Sequence, residues 1–246
     1  MNVIETNHLG RRYRRTWALR DCMLIIPGGH IVALVGPNGA GKTTLLTMAV
    51  GLTRPTRGTV SVLGGEPAGS PDALDRIAFV AQDAPLYRNL PVADMLHVAR
   101  NLNRRWDARC AEDRLARLGI PARQRVGELS GGQKAQLALT IALARRPSLL
   151  VLDEPLASLD PVAREDFLAS VVEAAAADGI SVVLSSHVLA ELERVATYLI
   201  VLARGEVRVA GAVKELLGSH GAGLEQIAIR HLRADVPSAS RTEAAE

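Results

Sequence analysis

The chain has 246 residues, of which 48% are hydrophobic and 22% charged, a composition typical of a folded globular protein. It contains no run of about 18 apolar residues that could span a bilayer, and no secretory signal is recognisable. Two cysteines, Cys22 and Cys110, are too few for a disulfide framework and favour a reducing cytoplasm. The length leaves one large domain, or a core with an inserted subdomain.

The net charge is +3, and lysine supplies only three of the 29 basic residues: Lys42, Lys134 and Lys214. So strong an arginine bias indicates a GC-rich genome rather than a nucleic-acid surface. The densest basic patch, residues 11–15, is interpreted as a solvated loop, with attraction to phosphate or acidic lipid as the alternative. Lys42 departs from the arginine bias, and a compact ammonium suits a phosphate pocket better than a planar guanidinium does.

The predicted elements alternate between strands and helices. Residues 30–36 form a short strand, followed by a helix from about Gly41 to Val50. Residues 58–64 and 76–82 are two more strands. Residues 91–146 carry apolar side chains at three- and four-residue spacing and are mostly helical. Buried strands at 148–155 and 180–187 enclose a helix after Pro161. A short helix through Val195 precedes a hairpin over 198–211.

Continuous apolar strands alternating with helices predict an α/β fold with a parallel sheet covered on both faces. The helical block, about 84–146, interrupts that pattern and is interpreted as an inserted subdomain. One domain is therefore expected over residues 1–218. Residues 219–246 are expected to form a flexible tail, with one added strand at 227–232 as the alternative.

The stretch after the first predicted core strand matches the phosphate-binding pattern G-x-x-x-x-G-K-[ST] in full. Its glycines let several N–H groups and a helix N-terminus point at phosphates. Lys42 would neutralise the β- and γ-phosphates, and the Thr43 hydroxyl would ligate Mg²⁺. Chance occurrence is the weaker alternative, because a strand precedes the loop and a helix follows it. The loop comprises Gly36, Pro37, Asn38, Gly39, Ala40, Gly41, Lys42 and Thr43.

Two tandem acids, Asp153 and Glu154, end the buried strand LLVLDEP. Adjacent strand residues point to opposite faces, so the two can take different roles. We assign Asp153 to Mg²⁺ and Glu154 to the water that attacks the γ-phosphate, as general base. Two solvated carboxylates at a strand exit are the structural alternative.

Three further side chains are placed near the nucleotide by their position. His187 and Gln82 each end a predicted strand, and ligands bind at the carboxyl edge of such sheets. We expect His187 to contact the γ-phosphate or the attacking water, although a histidine at a strand end is more often structural. Tyr13 precedes the first core strand and competes with Trp17 for stacking on the base.

A second glycine-rich helix start lies at Ser130, Gly131, Gly132 and Gln133. The S-x-x-Q spacing is explained by a capping box, which uses only the first and fourth residues. The box gives no reason for two glycines, each of which costs about 1 kcal/mol in a helix relative to alanine. The two glycines are explained if another molecule closely approaches this helix N-terminus, which is suited to bind an anion.

The motif LSGGQ, with the P-loop, LLVLDEP, Ser158–Asp160 and the SSH histidine, resembles the ABC-type ATPases, the nucleotide-binding subunits of ABC transporters. The resemblance covers residues 3–217 in the family's order. It implies a P-loop NTPase core with a mainly parallel sheet, an antiparallel β subdomain and an inserted α-helical subdomain. It also implies ATP and Mg²⁺ as ligands, and a head-to-tail dimer that holds each ATP between one P-loop and the other chain's signature.

Site roles carry over from the resemblance residue by residue. Thr44 extends the P-loop, and Gln82 resembles the glutamine that senses Mg²⁺ and γ-phosphate. The signature is Leu129 to Gln133, and Asp160 resembles the D-loop aspartate. Tyr13 resembles the adenine-stacking aromatic, and His187 the switch histidine. The basic run that usually follows LSGGQ is weaker here.

The resemblance further implies an ATPase subunit at the cytoplasmic face of the membrane, docked on a permease carried by a separate chain through residues 83–96. The motif spellings favour a bacterial ABC-2-type exporter, working as a homodimer or heterodimer. A soluble ABC ATPase acting on nucleic acid or the ribosome is one alternative, and a regulatory subunit without hydrolysis is another. One cassette with an intact Glu154 and His187 disfavours both, so no nucleic-acid partner is expected.

Overall fold

The computed structural model describes residues 1–83, 85–220 and 223–233. Its strands are β1 (Asn2–Tyr13), β2 (Thr16–Pro27), β3 (Ile31–Val35), β4 (Arg57–Val62), β5 (Glu66–Pro67), β6 (Ile77–Val80), β7 (Leu149–Leu152), β8 (Ser181–Ser186), β9 (Tyr198–Ala203) and β10 (Glu206–Ala212). Its α-helices are α1 (Lys42–Ala49), α2 (Pro71–Arg76), α3 (Val92–Leu102), α4 (Ala108–Arg117), α5 (Gly131–Ala144), α6 (Pro161–Asp178), α7 (Val213–His220) and α8 (Leu224–Arg233).

The central sheet has six strands in the order β10-β9-β3-β8-β7-β6. All neighbours are parallel except β10, which returns antiparallel to β9. Every residue of β7 and β8 is buried, as a sheet covered on both faces requires. Val35 pairs with Ser186, and Val80 pairs with Leu152, so neighbouring strands end at one edge. The predicted α/β fold is confirmed, and its carboxyl edge collects the residues that follow these strands.

A second sheet, β2-β1-β4-β5, is antiparallel and corresponds to the β subdomain that the family resemblance implied. The residue pattern alone did not predict β1 or β2. Their pairing is shifted at several points, and His8 and Asp21 have positive φ values of 47° and 55°. Such bulges interrupt the alternation of buried and exposed residues by which a strand is recognised.

The helical block packs around its own apolar cluster, which includes Val92, Met95, Leu115 and Val126. Helix α5 belongs to both units: Leu137 joins this cluster, whereas Leu139 joins the core against the central sheet. Helix α5 is therefore fixed from two sides, and so is its N-terminus. The exact bounds of the inserted subdomain stay a prediction.

The C-terminal segment differs from the expectation. Residues 227–232 lie in helix α8, so the expectation of an added strand there is wrong. The expectation of a flexible tail is also wrong for residues 224–233, which form this helix. Leu224 and Ala228 are buried against the core, and Ile227 is buried as well. Their helical spacing is a short pattern that the surrounding polar residues concealed. Residues 234–246 of the expected tail lie outside the described residues. The short helix expected through Val195 is only one 3₁₀ turn, Leu189–Glu191.

Within the described residues, no helix combines the length and the apolar character needed to cross a bilayer.

Candidate functional site

The phosphate loop connects β3 to α1 and is shaped by its glycines. A Cβ on Gly36 would lie 2.1 Å from the carbonyl oxygen of Leu202, and one on Gly41 would lie 2.5 Å from that of Ala18. Gly41 also has a φ of 104°. These two glycines let the loop pack against β9 and β2, which holds the start of α1 at the sheet edge.

A cavity of about 390 Å³ opens above this loop. It brings together most of the predicted nucleotide-site residues from five separate segments of the chain. Gly36, Pro37 and the buried Asp153 do not line it. Of the two aromatic candidates Tyr13 lines the cavity and Trp17 does not, and stacking on the base stays a prediction. The lining residues are Tyr13, Ala18, Asn38, Gly39, Ala40, Gly41, Lys42, Thr43, Thr44, Gln82, Glu154, Ala157 and His187.

Lys42 is the cation at the floor of this cavity. Its Nζ donates to the carbonyl oxygen of Gly36 at 2.7 Å and lies 3.1 Å from Glu154 Oε1. Only 6% of its side chain is exposed. The ammonium therefore lies between the phosphate loop and the acid predicted to act as base.

Glu154 is held on both carboxylate oxygens. His187 Nδ1 lies 2.9 Å from Oε2, and because the carboxylate accepts, Nδ1 carries the proton. Burial raises the pKa of Glu154, but the hydrogen bonds from His187 and Lys42 outweigh burial and bring the pKa below its ordinary value of 4.5. Glu154 is a carboxylate at neutral pH.

Asp153 and Glu154 are separated by a turn rather than by the pleat of a strand. Strand β7 ends at Leu152, one residue before the pair, and Glu154 has a φ of 48°. The two acids do point in different directions, but the expected cause, strand alternation, is wrong because neither residue lies in the strand. The left-handed backbone of Glu154 turns its side chain into the cavity while Asp153 stays buried.

Ser185 was missed by the sequence analysis and fixes both acids. Its Oγ donates to Asp153 Oδ1 at 2.7 Å and accepts from the backbone N–H of Glu154 at 2.8 Å. The side chain is buried, and the three strand residues before it, Val182 to Leu184, are all apolar. A hydroxyl in such a strand was the signal available in the sequence, since a buried polar group needs partners.

The second glycine-rich helix start forms the predicted capping box. Ser130 Oγ accepts from the N–H of Gln133 at 3.1 Å, and Gln133 Oε1 accepts from the N–H of Ser130 at 3.0 Å. A Cβ on Gly132 would lie 2.9 Å from the Cβ of Ala163, so helix packing alone requires that glycine. A Cβ on Gly131 would meet only the carbonyl oxygen of Ser158, at 3.7 Å. Only Gly131 still needs an approaching molecule to explain it.

The signature residues do not reach the phosphate loop of their own chain. Ser130, Gly132 and Gln133 line a separate groove between α5 and α6, together with Asp160. Asp160 also caps α6, accepting the N–H of Ala163 at 2.9 Å. The two glycine-rich helix starts therefore belong to different surfaces of the chain.

The ABC transporter family model matches residues 19–157, more than half of the chain. The chain belongs to the ABC transporter family. The match includes the phosphate loop, the signature and Glu154, while Tyr13, Asp160 and His187 lie outside it. A model of an AAA domain also matches residues 122–193.

Other ABC transporter ATP-binding proteins resemble it over most of their length. An uncharacterised one from Bacillus subtilis, YxlF, is 34% identical over 87% of this chain and 72% of its own. The thiamine import protein ThiQ of a Chelativorans species is 31% identical over 89% of this chain and 91% of its own.

Solved ABC structures share the fold. An ATP-binding subunit of an ABC transporter superposes with a TM-score of 0.80 at 28% identity, covering 93% of this chain and 99% of the other. A dimeric ATP-binding cassette with bound ADP and phosphate has a TM-score of 0.74 at 25% identity, covering 85% and 98%. The chain is thus the ATP-binding, ATP-hydrolysing subunit of an ABC transporter.

Proposed function

We propose that this ABC ATPase drives export from the cytoplasmic face of the membrane, through permease subunits on separate chains. In this proposal the working unit is a dimer that closes on two ATP molecules. The observation that supports the dimer is the separation of the signature groove from the phosphate-loop cavity. A second chain is needed to bring Ser130 and Gly131 onto the phosphates held by Lys42. A similar cassette that forms a dimer with ADP and phosphate supports this arrangement.

The hydrolytic step rests on groups already in place. Lys42 meets the negative charge of the phosphates. Glu154 orients the attacking water and takes its proton. His187 donates to Glu154 Oε2 and fixes the direction of that carboxylate. When Lys42 turns from Glu154 Oε1 to the phosphates, Glu154 loses one of the partners that lower its pKa and becomes a stronger base.

The oxygen donors at the carboxyl edge fit Mg²⁺. Thr43 and Gln82 line the cavity, and Asp153 lies beneath it with Oδ1 fixed by Ser185. No group of three or more His, Cys, Asp or Glu side chains within the described ranges is arranged to hold a metal ion. That suits Mg²⁺, which takes few protein ligands and completes its octahedron with phosphate oxygens and water. When bound, Mg²⁺ supplies charge neutralisation at the phosphates.

A docking surface for the permease follows Gln82. A groove of about 190 Å³ is lined by apolar side chains that include Pro85, Leu86 and Met95. Tyr87 in the same segment is 60% exposed. An apolar groove beside the glutamine that enters the ATP cavity can link the membrane partner to the nucleotide.

The role of Glu154 is tested by Glu154→Gln. This variant should bind ATP, accumulate an ATP-dependent dimer and lose nearly all phosphate release, because the amide cannot accept the proton. Glu173→Gln on the exposed face of α6 is the matched control and should hydrolyse normally. Unchanged turnover in Glu154→Gln would remove Glu154 as the base.

Export is tested with a membrane protein from a neighbouring reading frame, where such a frame encodes one. Tyr87→Asp, in the segment beside the groove, should abolish co-purification with that protein, whereas Leu52→Asp, exposed elsewhere in the chain, should not. Inverted vesicles that contain both subunits should accumulate labelled cargo when ATP is added outside. Accumulation only in right-side-out vesicles with enclosed ATP would mean import, as the thiamine relative's name describes for that protein.

A further inference from the structure

The Tyr13 ring is backed by a charged side chain. The guanidinium carbon of Arg11 lies over this ring, 4.7 Å from its centroid. Tyr13 lines the nucleotide cavity and is 46% exposed, whereas Arg11 does not line the cavity. One face of the Tyr13 ring is therefore occupied by Arg11. The part of the ring that Arg11 leaves uncovered borders the cavity.

Arg11 is itself held in place. Its Nη1 donates to the carbonyl oxygen of Arg54 at 2.9 Å, and its Nε is buried without a hydrogen-bond partner. Arg54 lies in the loop that follows α1, the helix that begins at the phosphate loop. The backbone reinforces this tie, since the N–H of Thr56 donates to the carbonyl oxygen of Gly10 at 2.8 Å. Arg11 thus connects the Tyr13 ring to the loop that follows the helix carrying Lys42.

The neighbouring arginine provides a natural comparison. Arg12 lies over Trp17, 5.9 Å from the ring centroid, and Arg57 lies over the same ring at 5.2 Å. Neither Arg12 nor Trp17 lines the cavity. Two adjacent arginines, Arg11 and Arg12, thus each lie over an aromatic ring, and of these two rings only Tyr13 lines the cavity.

We propose that Arg11 is a positioning residue for adenine: it fixes the Tyr13 ring from behind, so that Arg11, Tyr13 and the base form one continuous stack. The proposal deepens the ATP site and rests on Tyr13 being the adenine platform. Arg11 acts only through the ring and contacts neither the base nor the phosphates.

The physical reasons are order and polarisation. A tyrosine at the end of a hairpin loses rotamer freedom when it stacks on a ligand, and a ring already held against Arg11 loses less. A partly buried guanidinium over an aromatic face is attracted to the ring quadrupole. Because Arg11 Nε is desolvated, this contact replaces water at that part of the guanidinium. The contribution belongs to base binding, so it should appear in KM and not in kcat.

The test compares ATP with inorganic tripolyphosphate, which lacks the base, in direct binding measurements by calorimetry. Arg11→Met should weaken ATP binding about twofold to fivefold, the range for a cation–π contact of this exposure, and leave tripolyphosphate binding unchanged. KM for ATP should rise by the same factor at constant kcat. Arg12→Met, which disturbs only the stack on Trp17, should bind both ligands like the unmodified chain.

Two further variants make the test specific. Arg11→Lys keeps a cation but loses the planar stack, so it should fall between Arg11→Met and the unmodified chain. In a Tyr13→Ala background Arg11→Met should have no further effect, because Arg11 acts through the ring. Equal losses for ATP and tripolyphosphate, additive effects in the double variant, or no effect of Arg11→Met in folded protein would each overturn the proposal. If Tyr13→Ala itself leaves ATP binding intact, the adenine platform is wrong, which is a separate failure.

Discussion

Replacing Gly131 by alanine tests whether the start of α5 faces another molecule. In the folded chain a Cβ at this position would meet its nearest heavy atom, the carbonyl oxygen of Ser158, at 3.7 Å, which is an ordinary contact. Alanine also restricts the unfolded chain, so we expect stability to be unchanged or to rise by about 0.4–1 kcal/mol. In the proposed closed dimer the added methyl group would stand where the phosphates approach. A displacement of 1 Å in such a site can lower turnover by about a hundredfold.

Gly132→Ala is the matched comparison on the next residue. Its Cβ would lie 2.9 Å from the Cβ of Ala163, so the helix pair must move apart. Overpacking of this kind costs about 1–3 kcal/mol of stability. We therefore expect Gly131→Ala to lose ATPase activity without losing stability, and Gly132→Ala to lose both. Unfolding in urea measures the first quantity and phosphate release the second. Full turnover by a stable Gly131→Ala protein would refute the reasoning that the helix start contributes to the site.

Two other predictions concern the same site, and a third concerns the basic patch. Chains with Lys42→Ala or Ser130→Arg should each be inactive alone, and mixing them should restore some activity, because a heterodimer has one intact composite site; no recovery despite demonstrated heterodimers would contradict shared sites. Glu154 has a lowered pKa, so its ion pairs stabilise the fold above its unfolded pKa, near 4.5, and are lost as the pH falls through the folded pKa. The stability difference between the unmodified chain and Glu154→Gln, measured by urea unfolding, should therefore shrink below pH 4.5, and a constant difference would exclude this linkage. The purified chain should not bind duplex DNA appreciably at physiological salt, since no recognition element accompanies its basic patch; tight binding in a gel-shift assay would revive the nucleic-acid alternative.

Much of the parallel core could be predicted from the sequence because β3 and β7 are apolar throughout and β8 is apolar from Val182 to Leu184. Strands β7 and β8 are buried at every position, and a continuous apolar run such as LLVL predicts such burial. Strands β1 and β2 could not be recognised in that way, because bulges at His8 and Asp21 shift the face to which each residue points. Helix α8 was missed for a different reason: its buried positions are few, and only their spacing distinguishes them from a polar tail.

Most of the candidate site could be located from the sequence because its residues follow the ends of neighbouring strands. The fine geometry could not be predicted from spacing. The left-handed backbone at Glu154 is set by its surroundings, including Ser185, which contributes a contact from another strand. Likewise, the contact between Gly132 and Ala163 joins α5 to α6 and has no local signature. Such features depend on which segments meet in three dimensions, which a single sequence pattern does not specify.

The two glycine-rich helix starts differ in how their backbone N–H groups are satisfied. Helix α1 begins after Gly41, which has no side chain to cap it, so its first N–H groups are suited to phosphate. Helix α5 already has a cap, since Ser130 Oγ accepts from the N–H of Gln133. That acceptance leaves the hydroxyl proton of Ser130 able to donate, beside the exposed backbone of Gly131. The first start is suited to surround phosphates, and in the proposed dimer the second would present a few donors to phosphates held by another chain. This asymmetry would explain why one chain has two such motifs and why neither can substitute for the other.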